Sequence, residues 1–416
     1  MFGKKLGRFG RRRPVREKSS KLYEEAMRPK APKYEVPSVK PLLSFGAYVL
    51  LMGAAGIAAL VLGQPVFGIG ALIIGVLPAV LVAGLAQSLL HKTLGRREAV
   101  QMDELGDQLG EGGSALVRRQ SEGLSASKLE ALEKNRAVAA DEAHAWLDGL
   151  GADGAACTEF ETVEIEAEDG VHLVGYVLAC NPESDLWFVF AHGLDGTWRA
   201  GMTYAARCAN AGFNLLFVEM RAHGASGGNW VGASWLERRD LVCWCRWLVG
   251  RVGEGARIAL AGQSLGAASA IAACGEKDLP PQVKACVSDS GFSDWWNLAV
   301  RTMATGSMGM QSTTPHPLLD LMRLVLRTRK DGYDMAKARP VDAIAHSKVP
   351  VLLIRGAGDR VVEPHLTDKL VEAAGGAAAG EGCELVTIPA AGHCCAVFAD
   401  PEAYWAAVLG FFKRWM

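Results

Sequence analysis

Three residues in this chain, Ser264, Asp359 and His393, stand where nucleophilic acyl transfer would need them. Ser264 is the centre of Gly262-Gln263-Ser264-Leu265-Gly266, which follows the apolar run Ile258-Ala259-Leu260-Ala261 and opens a small-residue stretch, Ala267-Ala268-Ser269-Ala270. The flanking glycines allow a tight strand-to-helix turn that lifts the hydroxyl above a sheet, and the N-terminus of the new helix favours negative charge there. A serine hydroxyl is a weak nucleophile at neutral pH, so it needs a base, and the base needs an orienting carboxylate. Asp359 closes Arg355-Gly356-Ala357-Gly358-Asp359, directly after the run Val351-Leu352-Leu353-Ile354. His393 closes Pro389-Ala390-Ala391-Gly392-His393, after the last apolar run. Each residue type is common in loops for other reasons; the three together, each at the carboxyl end of an apolar run, predict a nucleophile, an orienting acid and a base. The charge on a tetrahedral intermediate calls for two preorganised backbone N–H donors. Gly193, in Ala191-His192-Gly193-Leu194-Asp195-Gly196, lets a loop turn close to a substrate, so the expected donors are the N–H groups of Leu194 and Leu265, with His192 holding the loop.

Positioning these groups requires a parallel sheet. Phe160 to Ala167 and Val171 to Leu178 alternate apolar and polar about the turn Glu168-Asp169-Gly170, which predicts an antiparallel hairpin. The apolar runs after it, at 186–191, 213–218, 257–261, 285–287, 351–354 and 385–388, alternate with stretches of helical period. Continuous apolar strands separated by helices mean a sheet covered on both faces, whose sites lie at the strands' carboxyl ends.

The chain of 416 residues is long enough for one large α/β domain and an additional segment. Formal net charge is −1, yet residues 1–41 are strongly basic, with Arg11-Arg12-Arg13 among them. Two uncharged stretches follow, 42–62 and 66–90, parted by Gly63-Gln64-Pro65, and each is long enough to span a bilayer. Lys40 on one side and Lys92, Arg96 and Arg97 on the other place both flanks in the cytoplasm under the positive-inside rule. A transmembrane hairpin in the cell membrane is therefore expected, with the basic arm as its cytoplasmic flank and not a nucleic-acid-binding tail. Neither stretch holds an Asp, Glu, Lys, Arg or His, which argues against transport. Residues 91–126 read as a linker, and Ser127-Lys128-Leu129-Glu130 reads as a capping box opening a helix. The ten cysteines have neither zinc-ligand nor disulfide-framework spacing, so no metal or other cofactor is called for.

Five segments carry a family resemblance: HGLDG at 192–196, EMRAHGASGG at 219–228, GQSLG at 262–266, RGAGD at 355–359 and AGH at 391–393. With the chain order Ser264, Asp359, His393, they resemble the α/β-hydrolase superfamily from Glu159 to the C-terminus, and more closely the bacterial membrane-anchored serine aminopeptidase-like (S33-type) hydrolases. The resemblance implies a hydrolase domain over 127–416, structural roles for Arg221, His223 and Ser226, and a cap insertion at about 291–348. That cap holds Phe292, Trp295, Trp296, Met303, Met308, Met310, Leu318, Leu319, Leu321 and Met322. Trp295, Trp296 and Met303 are the candidate pocket residues, since methionines and large aromatics suit an apolar acyl group. The expected activity is a membrane-anchored serine esterase or lipase-like hydrolase acting on a lipophilic ester or thioester. A peptidase on short peptides, and a membrane-bound scaffold without turnover, are the alternatives; the oligomeric state is left open.

Overall fold

The structure is a computed structural model that describes residues 40–97, 108–110, 112–150, 159–305, 318–375 and 382–416. The basic arm before residue 40, part of the 91–126 stretch, and Met308 and Met310 of the cap lie outside the described residues.

An eight-stranded sheet organises the chain from residue 161 onward. Its strands are β1 (Glu161–Glu166), β2 (His172–Leu178), β3 (Leu186–Ala191), β4 (Asn214–Val218), β5 (Arg257–Gln263), β6 (Val283–Asp289), β7 (Val351–Gly356) and β8 (Cys383–Ile388). The order is β1-β2-β4-β3-β5-β6-β7-β8; β2 runs antiparallel to both its neighbours and every other pairing is parallel. Successive residues of a strand feed opposite cores. Val189, Leu216, Leu260 and Leu353 pack on one face, while Phe188, Phe190, Phe217, Ala261 and Ile354 pack on the other. Both faces being covered explains why these strands are apolar throughout.

The two uncharged stretches form helices α1 (Lys40–Val61) and α2 (Pro65–Leu94), joined at Gly63 and Gln64, with Pro65 in the first turn, where its missing N–H costs nothing. Both are long and apolar enough to cross a membrane. They pack antiparallel through small residues: Gly56 lies against Leu72, Gly68 against Leu60 and Gly75 against Met52, the close backbone approach typical of membrane helix pairs. The second helix extends past the expected end at residue 90. Leu81 and Leu85 are exposed, whereas Ala86, Leu90 and Leu94 are fully buried in the same core as β3 and β5.

The 91–126 stretch differs from a free linker in its described residues. Val231 N–H donates to the Leu94 carbonyl and Arg97 N–H to the Ala222 carbonyl, while Arg96 donates to the carbonyls of Gly224, Ser226 and Gly228. Beyond it, helix α3 (Gly113–Gln120) leads to α4 (Ala126–Gly149). The N-cap of α4 is Ser125 and not Ser127, because the Ser125 carbonyl already accepts the N–H groups of Lys128 and Leu129.

Candidate active site

Ser264 sits between β5 and helix α5 (Leu265–Cys274) with φ 51° and ψ −111°, a conformation costly for any residue with a side chain. Its neighbours allow it. A Cβ on Gly266 would collide with the Ala191 carbonyl of β3, and one on Gly262 with the backbone of Gly266, so only glycine permits so close a turn. The Ser264 N–H donates to the Asp289 carbonyl at 2.8 Å, which ties the elbow to the end of β6.

The three residues expected to act together meet. His393 Nε2 lies 2.9 Å from Ser264 Oγ, and His393 Nδ1 lies 2.7 Å from Asp359 Oδ2. The other carboxylate oxygen of Asp359 accepts the N–H groups of Val361 and Val362, both at 2.8 Å, which fixes its orientation. Asp359 and His393 are 3% and 6% exposed, so their interaction is shielded from water. Burial disfavours the imidazolium of His393, but the adjacent Asp359 carboxylate together with Cys394 outweighs it, and the net effect holds the histidine well above its ordinary range.

Leu265 is the first residue of α5, and the first N–H groups of a helix have no partner within it, so its N–H is available above the elbow. On the facing loop, Gly193 lies against the Ser264 Cβ, and Leu194 follows it. His192 is buried; its Nε2 accepts the Met220 N–H at 3.1 Å and its Nδ1 lies 2.8 Å from the Gly193 carbonyl, a pairing that holds the loop. The 219–228 turn is likewise a structural knot. Arg221 is buried between Asp240 at 2.6 Å and Asp169 at 2.8 Å; Ser226 Oγ donates to the Glu219 carbonyl and accepts from Val174 N–H. Ala222 adopts φ 57° where the resembled motif has glycine.

Trp295, Trp296 and Met303 lie on the cap helix α6 (Trp295–Thr305) and are 8%, 2% and 1% exposed. They belong to the same buried core as Leu319, Met322 and Leu366, so the structure packs the cap onto the core through them.

Sequence reasoning missed a second set of residues behind the histidine. Asp289, at the carboxyl end of β6, is 1% exposed and takes hydroxyl hydrogen bonds from Tyr404 (3.1 Å), Tyr204 (3.3 Å) and Ser290 (3.0 Å). Burial raises its carboxyl, and the Ser290 and Tyr404 hydroxyls work against that rise. Ser290 Oγ in turn accepts the N–H of Cys394, the residue after the base. The rule that sites gather at strand ends would have flagged Asp289. Nothing in the sequence flags Gln108 and Gln120, which also reach this loop.

Among curated proteins, an uncharacterised protein of Mycobacterium tuberculosis is 28% identical over 257 residues, covering 58% of this chain and 73% of that protein. An α/β-hydrolase domain-containing protein of Arabidopsis thaliana is 26% identical over 271 residues, 62% of this chain and 79% of its own. Among solved structures, a Pyrococcus furiosus esterase is 25% identical, with a TM-score of 0.48, covering 62% of this chain and 93% of that one. A Pyrococcus horikoshii acylaminoacyl peptidase is 16% identical, with a TM-score of 0.44, covering 62% and 42%. These matches do not reach the serine aminopeptidase-like group of the resemblance. The sequence model of the prolyl oligopeptidase family matches residues 202–416, just over half of the chain. The chain belongs to the prolyl oligopeptidase family, serine hydrolases of the α/β-hydrolase fold.

Proposed function

We propose that the chain is a membrane-anchored serine hydrolase in which Ser264, His393 and Asp359 form the catalytic triad, cleaving esters or thioesters of lipophilic acyl groups. The observation that carries the triad is the continuous line from Ser264 Oγ through His393 to Asp359 at 2.9 and 2.7 Å. His393 Nε2 takes the hydroxyl proton as Oγ attacks the acyl carbon. The oxyanion that forms is met by the N–H groups of Leu194 and Leu265. Its collapse expels the alcohol or thiol, which leaves with the proton from His393, and an acyl-enzyme remains on Ser264. His393 then removes a proton from water as its oxygen attacks the acyl carbon, and collapse of the second tetrahedral intermediate breaks the bond to Ser264 Oγ, which regains the proton from His393 as the acid is released.

This chemistry serves esters and amides alike. In favour of an apolar acyl group are the aromatic residues and methionines of the cap, although Trp295, Trp296 and Met303 themselves are packed into the core, and a helix α2 that runs from an exposed apolar stretch into the hydrolase core. The family match favours the second reading, a peptidase on short peptides. Fluorophosphonate labelling of the full-length protein tests the triad: wild type is expected to label and Ser264→Ala to be silent, and equal labelling of the two would sink the assignment. Acyl esters and thioesters assayed beside aminoacyl amides separate the two substrate readings.

A further inference from the structure

Gln108 belongs to the stretch between the second apolar helix and the sheet, outside residues 202–416. Its side chain is buried, with 3% exposure. Nε2 donates to the Cys394 carbonyl at 2.9 Å and to Gln120 Oε1 at 3.4 Å, and Oε1 accepts from Gln263 Nε2 at 3.3 Å. Gln263 immediately precedes the nucleophile and Cys394 immediately follows the base. One carboxamide therefore bridges the two loops whose spacing sets the distance from Ser264 to His393. The same stretch grips the base again, because the Gln120 carbonyl accepts the His393 N–H at 3.1 Å and the Gly392 backbone lies against Gln120 and Ser121. It also reaches the acid's loop, with Leu124 against Gly358 and Gly123 against Arg360.

We propose that Gln108 is a positioning residue for the triad, holding the nucleophile elbow and the histidine loop in register from a segment outside the matched family region. The inference rests on the Ser264 reading above. A carboxamide suits the place because it carries a donor and an acceptor on one rigid group, and here both are used. The buried Cys394 carbonyl and Gln263 amide both need partners, so the bridge is held firmly. A base displaced by about 1 Å from its nucleophile loses about a hundredfold in rate, so the tie bears on turnover and not only on packing.

The test uses the full-length protein in detergent micelles, with p-nitrophenyl butyrate hydrolysis and the fluorophosphonate labelling rate expressed per folded molecule. Gln108→Met keeps length and volume and deletes all three side-chain hydrogen bonds. It is expected to lower kcat about 10- to 100-fold, with KM within about twofold of wild type, the split that loss of transition-state alignment produces. Gln108→Glu keeps the acceptor toward Gln263 but sets a carboxylate against the Cys394 carbonyl, and is expected to lose at least as much. A Gln108→Met kcat within about twofold of wild type, with only the melting temperature lowered, means a structural role and overturns the proposal. If Gln108→Met does not fold, Gln108→Ala, whose space admits water, gives the same comparison, and an unchanged kcat per folded molecule again overturns it. Wild type that labels while the variants label equally fast defeats the Gln108 proposal alone; wild type that does not label at Ser264 defeats both readings.

Discussion

At the scale of single residues, the proposed triad makes the pair His393 and Asp359 decide when Ser264 can react. The base must be neutral to accept the Ser264 proton, so turnover rises with pH as His393 loses its own proton. Burial lowers and Asp359 raises the histidine, with the net direction upward; the acid limb of kcat/KM is therefore expected above the ordinary imidazole range of about 6.5. Asp359→Asn removes the carboxylate that stabilises the imidazolium, so the limb should move to lower pH. The amide also favours the wrong tautomer, and kcat should fall about 10⁴-fold. A pH–rate profile of the two proteins checks both; a limb that stays in place would mean Asp359 does not face the working base.

At the scale of elements, helix α2 has two environments along one axis. Leu81 is 63% exposed, whereas Leu90, farther along, is fully buried in the core that also holds Val189 and Leu260. The contrast predicts different outcomes for one chemical change. Leu90→Ala should destabilise the fold by about 2–5 kcal/mol, the cost of a large-to-small change in a closed core. Leu81→Ala should leave the melting of the hydrolase fold unaltered, because its side chain meets no core atoms. Thermal melts of both variants in the same detergent decide it, and equal shifts would show that the two ends of α2 are not so divided. The docking is reinforced by Arg96 and by Arg97, which pairs with Asp195 at 2.8 Å beside the Gly193 loop. Exposed pairs of this kind contribute little on their own, and the buried leucines carry the join.

At the scale of the whole molecule, the apolar hairpin and the sheet are joined by packing as well as by the chain. Basic residues on both outer sides of the hairpin predict that the hydrolase faces the cytoplasm. Protease treatment of sealed, right-side-out vesicles should leave the hydrolase intact, and digestion before lysis would refute that orientation.

Much of the candidate site's geometry was legible from residue types and their order. The elbow glycines, the loop positions of Asp359 and His393, and Gly193 are local signals: each reflects a backbone shape or strand end that a few neighbouring residues impose. The strands were legible too, since burial on both faces leaves a continuous apolar run, and so were α1 and α2, whose length and lack of charge are properties of composition. Only the tertiary structure showed Asp289 beneath the histidine loop, the second helix ending in the core, and a supposed linker carrying Gln108 between Gln263 and Cys394. Those contacts join residues more than a hundred positions apart through single hydrogen bonds or a few buried leucines. Such pairings leave no periodicity in the chain, because their partners are chosen by the fold and not by the neighbours in sequence.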